Sequence, residues 1–134
     1  MPRNMSFSMT TQAVRDRIKD VTRRNGWANL KPGELFWGVE KAMGLKPGEK
    51  IVRLDLMRCV SNRAEPLVAL LDDWWYGVRE VEREGFANHP DVRGPEDFVV
   101  RFMDHMGGDL NTPRNRIEFA YVDDPVLIKK AKKR

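Results

Sequence analysis

A single cysteine, two histidines and no long apolar run set the first limits on this 134-residue chain. Cys59 cannot close an internal disulfide, and with only His89 and His105 beside it there is no spacing for a structural zinc site, so no metal or other cofactor is expected. No apolar stretch approaches the ~20 residues that cross a bilayer, which excludes a spanning helix as a reading and leaves no membrane partner expected. The opening MPRN, followed by alternating Met and Ser, also lacks a charged region leading into an apolar one. No secretory leader is expected, and the cytoplasm is the expected compartment.

What is present is charge, at 33% of residues, with a formal net of +4. Five positives, Lys129, Lys130, Lys132, Lys133 and Arg134, fall in the last six residues, and subtracting them leaves residues 1–128 at −1. The body is therefore not a broadly basic duplex binder, and attraction for phosphate has to come from a local patch or from the tail. Length and charge together give one domain over residues 1–124 and a basic, disordered tail over 125–134.

The stretch TTQAVRDRIKDVTRR, residues 10–24, carries the densest chemistry. Thr10 and Thr11 offer helix-entry hydroxyls, Val14 and Ile18 lie four apart, and the run leaves as DVTRR, whose Val and Thr favour extended chain. Lys19 thus sits at a helix-to-strand corner. Alternation in the strand puts Thr22 and Arg24 on one face and Val21 and Arg23 on the other. An amine, a hydroxyl and a guanidinium can converge there on one cleft, although a solvated basic corner would show the same spacing.

The rest of the chain reads as alternating strands with helices inserted. Met5, Phe7 and Met9 alternate, as do Leu35, Trp37 and Val39, then Val52, Leu54 and Leu56, and last Ile117, Phe119 and Tyr121. LKPGE occurs at 30–34 and again at 45–49, where Pro and Gly fit the central positions of a type II turn. After Pro66 the spacing becomes helical, with Asp72 or Asp73 as cap, Trp74, Val78 and Val81 on one stripe and Gly85 as the stop. A second helix opens at Pro95, with Glu96 and Asp97 at its positive end, and closes at Gly107-Gly108. Trp37 is expected in the core. Of Trp74 and Trp75, one ring is expected buried and its neighbour partly exposed. The sum is an α+β domain of five or six strands, with helices after the first strand and before the last.

The segments RIKDVTRR, the KPGE turn into a strand, EREGF, PEDFVVRFMDHMG and RIEFAYV together resemble the ASCH domain family, in the form often found in phage-encoded proteins. The most specific part is Lys-x-x-Thr-x-Arg, met here by Lys19, Thr22 and Arg24. The resemblance implies a mixed β-barrel like that of the pseudouridine synthase and archaeosine transglycosylase (PUA) domain, with a positively lined cleft for RNA or a modified nucleoside. Small bacterial members are amidohydrolases of N4-acetylcytidine that use a lysine, a threonine and a glutamate. Carried over, these fall on Lys19, Thr22 and, by its place before the Gly-Phe pair, Glu84. Against the small enzymes this chain has longer segments at 39–50 and 67–95.

The chemistry expected of this set is a buried, neutral Lys19 taking the Thr22 proton, Glu84 passing a proton to the leaving amine, and Arg24 holding an oxyanion or a phosphate. Arg23, Arg24 and Trp27 are the candidate ligand contacts, with Trp27 as a stacking face. Binding of RNA, a nucleoside or a nucleotide without turnover is the first expectation; amide hydrolysis or ribonuclease action is the alternative. The oligomeric state is left open.

Overall fold

The computed structural model describes residues 2–133. Its elements in chain order are β1 (Arg3–Ser6), α1 (Thr11–Arg15), β2 (Val21–Arg24), β3 (Leu35–Val39), β4 (Arg53–Pro66), α2 (Ala69–Asp72), α3 (Trp74–Val81), α4 (Pro95–Met106), β5 (Pro113–Tyr121) and α5 (Pro125–Lys132). This is an α+β fold. Its five strands make one curled, mixed sheet in the order β1-β3-β4-β5-β2, a half-barrel with β1 and β2 at its two edges. β1 runs parallel to β3, and the other neighbours are antiparallel.

Strand alternation builds two apolar layers from one sheet. Phe36, Met57, Ile117 and Phe119 face inward with Met5 and Phe7, where Phe7, Phe36 and Phe119 meet ring against ring at 5.8 and 6.0 Å. Their strand neighbours Trp37, Val39 and Leu56 face outward. The expected alternation at 35, 37 and 39 is present, and Trp37 is buried, but this row lies under α5 and not inside the curl.

That helix corrects the expectation of a disordered tail. The Asp124 carboxylate accepts from the Val126 amide at 2.9 Å, Pro125 occupies the first turn, and Leu127, Ile128 and Ala131 share the face that covers Trp37. Lys129, Lys130 and Lys132 then fall in the last turn, where cations suit the helix dipole.

Both LKPGE copies form the turns expected of them. Gly33 and Gly48 have φ of 89° and 83°, and Glu34 and Glu49 each donate a backbone bond three residues back, at 3.0 and 2.9 Å.

β4 is longer than its apolar pattern indicates. It continues through Ser61–Pro66 across an irregularity between Cys59 and Ser61, because the polar run SNRAEP pairs fully with β5. The helical stretch after Pro66 is broken at Asp73, whose extended backbone separates α2 from α3 while its carboxylate caps Tyr76 at 3.1 Å. Trp74 and Trp75 are 51% and 68% exposed, so neither ring is buried; they stack edge to face on each other at 4.9 Å. Their position in the first turn of α3 sets them beyond the row of Leu70, Val81 and Phe98 that packs the helices together. No helix among the described residues is long and apolar enough to cross a membrane.

Candidate functional site

A cavity of about 530 Å³ opens between the two edges of the half-barrel. Asn4, Ser6 and Phe7 come from the β1 side, Thr22 and Arg24 from β2, Phe98, Arg101 and Phe102 from α4, and Lys41 to Met43 from the loop after β3.

The corner that delivers Lys19 is a helix end of a defined kind. Ile18 donates to the Ala13 carbonyl at 3.0 Å and Arg17 to Val14 at 2.9 Å, the paired bonds of a Schellman motif, with Arg17 at φ 56° in the position that glycine usually takes. A left-handed residue with a side chain costs on the order of 1 kcal/mol, and Arg17 is held by Asp55 and Asp123, each at 2.8 Å, and lies over the Tyr121 ring. The Tyr121 hydroxyl then donates to the Lys19 carbonyl at 2.6 Å. This early stop leaves Ile18 exposed, outside the helical stripe expected to hold it with Val14.

Glu84 reaches the same place from the other side of the fold. α3 widens into a π-helical turn over Glu82–Phe86, closed by Gly85 at φ 97°. A Cβ on Gly85 would stand 2.7 Å from that of Ala13, so only glycine lets the turn lie against α1. Asp20 and Arg83 fasten the turn to β2, through a backbone bond of 2.9 Å and a two-pronged side-chain pair at 3.0 and 3.2 Å.

Lys19 and Glu84 are both buried and directly paired. The Lys19 amine donates to the Glu84 carboxylate at 2.9 Å and to the Glu84 carbonyl at 2.6 Å. Burial pulls the Lys19 amine below its ordinary range, only partly opposed by Glu84, and the Arg24 and Arg23 charges push the same way as burial. Thr22, also buried, accepts from Arg24 Nε at 3.0 Å, which leaves the threonine's own proton free to be given. Arg24 lies over the Phe7 ring at 4.8 Å, and burial lowers its guanidinium as well, although it stays charged at neutral pH.

Arg23 lines the cavity too, but its side chain is committed to carboxylates. Its side chain is fully buried and donates to Glu65 at 2.8 Å, Glu80 at 2.6 Å and Glu84 at 2.9 Å. Arg116 completes the set with a two-pronged hold on Glu80 at 2.6 and 3.0 Å. Burial raises the Glu80 carboxyl, and Arg116 and Arg23 overcome this and hold it down at about 2. Arg23 therefore fixes one carboxylate oxygen of Glu84 while Lys19 takes the other. Trp27 lines the cavity half-buried, with the Arg3 guanidinium 4.5 Å from its ring.

The residues singled out in the sequence, Lys19, Thr22, Arg23, Arg24, Trp27 and Glu84, all line one cavity. Sequence reading missed Glu65, Glu80, Arg116 and Arg101. In the sequence Glu80 is one charge among Arg79, Glu82, Arg83 and Glu84, and nothing local marks a helix charge that pairs with two strands. No protein-family model, curated protein or solved structure matches this chain.

Proposed function

We propose that this chain is a PUA-like domain of the ASCH type whose cavity takes a modified nucleoside, free or within RNA, and that Lys19, Thr22 and Glu84 hydrolyse an N-acyl amide on its base. The observation that carries this reading is the direct Lys19–Glu84 contact at one cavity of nucleoside size that Thr22 also lines. That contact moves hydrolysis ahead of binding alone, because it gives the site a buried amine and a buried carboxylate between which a proton can pass.

In the proposed reaction the neutral Lys19 amine takes the Thr22 proton as Oγ1 attacks the acyl carbon. The oxyanion forms beside the ammonium thus created. Collapse breaks the C–N bond, the base amine leaves with a proton passed through Glu84, and water then cleaves the Thr22 ester, returning its proton to the site. Arg24 Nε orients Thr22 throughout. Trp27 and Phe102 supply flat apolar surface against which a base can rest.

The test is incubation of the protein with N4-acetylcytidine, followed by mass detection of cytidine and acetate. Release should rise with pH as the Lys19 amine becomes neutral, and Thr22→Val should abolish it while changing cytidine affinity less than threefold. Cytidine that binds without any release from the acetylated form would reduce the reading to a binding module.

A further inference from the structure

The charges around the cavity are unbalanced in a way the hydrolytic set does not use. Of the charged residues that line it, five are lysine or arginine, Lys19, Arg23, Arg24, Lys41 and Arg101, and one is a carboxylate, Glu84. Three of the five are committed: Lys19 to Glu84, Arg23 to three glutamates, and Lys41 to Glu49 at 3.4 Å. Among the described residues Arg24 and Arg101 have no carboxylate partner. Arg24 spends only its Nε, on Thr22, which leaves both terminal nitrogens of its fork unassigned. Arg101 Nε is buried without a partner among the described residues, as Arg23 Nε is, but Arg101 differs in that its terminal nitrogens have no partner there either, an arrangement that costs free energy unless something else accepts from it.

From this we infer that Arg24 and Arg101 form a phosphate subsite, so that the natural ligand is a nucleotide or an RNA nucleotide unit and not a free nucleoside. The inference rests on the nucleoside reading above and adds the substrate class. A guanidinium pair matches phosphate because each fork offers parallel N–H donors to two oxygens, and two cations without carboxylate partners in one cavity welcome an anion. Arg101 belongs to α4 and Arg24 to β2, so the anion would join two elements that line the cavity.

Calorimetric titration of cytidine, cytidine 5′-monophosphate, inorganic phosphate and a short single-stranded RNA tests it, with wild type, Arg101→Gln and Arg101→Lys. The monophosphate should bind wild type at least about tenfold more tightly than cytidine, the ratio expected for charge-assisted bonds of this kind. Arg101→Gln should bring the two ligands within about twofold while leaving cytidine affinity and melting temperature unchanged, and Arg101→Lys should restore part of the preference. Equal affinity of wild type for cytidine and its monophosphate would overturn the subsite and leave the nucleoside pocket standing. Binding of phosphate but not cytidine, lost in Arg101→Gln, would support the subsite and overturn the nucleoside reading. RNA binding with the same Arg101 dependence but no monophosphate binding would support the subsite for a phosphodiester.

Discussion

Arg23 and Arg24 are neighbours on one strand, and the two faces of β2 treat them differently. Toward α3, Arg23 meets Glu65, Glu80 and Glu84, with Arg116 closing the set, and every charge there has an opposite. Toward the cavity, Arg24 meets a threonine hydroxyl and the face of Phe7. The first arrangement is that of a structural network, in which desolvated charges survive because each is matched. The second leaves a cation under-used beside an open volume, as expected of a surface that completes itself with a ligand.

The comparison breaks most visibly at Glu80. Glu80→Ala leaves Arg116 and part of Arg23 buried without their counter-charge, so urea unfolding should show a loss of about 3–5 kcal/mol; a loss under about 1 kcal/mol would mean that water already shares the network. Acid should act on the same group. Its carboxyl, held at about 2, contributes stability that is complete above its unfolded value of ~4.3 and is lost as pH falls toward 2. Wild-type stability should therefore drop by roughly 3 kcal/mol from this contact across that window, and Glu80→Gln should flatten the drop.

A smaller effect is expected where the two faces join. Gly85→Ala combines φ of 97° with the close approach to Ala13, and should cost about 1–3 kcal/mol while moving Glu84 off Lys19. Turnover should fall at least about tenfold even where the protein remains folded, since small displacements of catalytic groups are costly. Unchanged kinetics in a folded Gly85→Ala protein would separate Glu84 from the chemistry.

The smallest change in stability belongs to Arg24. Arg24→Gln removes a cation without a carboxylate partner, so unfolding free energy should stay within about 0.5 kcal/mol or rise slightly, as at sites shaped for function. Nucleotide affinity should fall at least about tenfold in the same protein. A destabilisation comparable to that of Glu80→Ala would place Arg24 in the structural class with Arg23.

Much of this was legible in the sequence because alternation is a local signal. It separated Thr22 and Arg24 from Val21 and Arg23, and it found the apolar rows of β3 and β5. Alternation could not say which side of the sheet a row faces, so Trp37 read as core without revealing that α5 is what covers it. The length of β4 was hidden because Arg63 and Glu65 are strand residues whose faces are polar, carrying the ion network. Lysines masked α5, whose apolar contribution comes from only Leu127, Ile128 and Ala131. Glu84 was reachable through the Gly-Phe pair that follows it, whereas Arg101 had no signal at all. Its meaning comes from an unsatisfied nitrogen, and that exists only once the helix is packed.

The most direct test of the account is a comparison of Lys19→Arg and Lys19→Ala on N4-acetylcytidine, with release of cytidine and ligand affinity measured on the same preparations. If Lys19 acts as the base that frees the Thr22 hydroxyl, the arginine variant keeps the charge but cannot give up its proton at working pH, and both variants lose turnover by orders of magnitude. Affinity should be lost less in the arginine variant than in the alanine one. An arginine variant that releases cytidine at close to the wild-type rate would contradict the account.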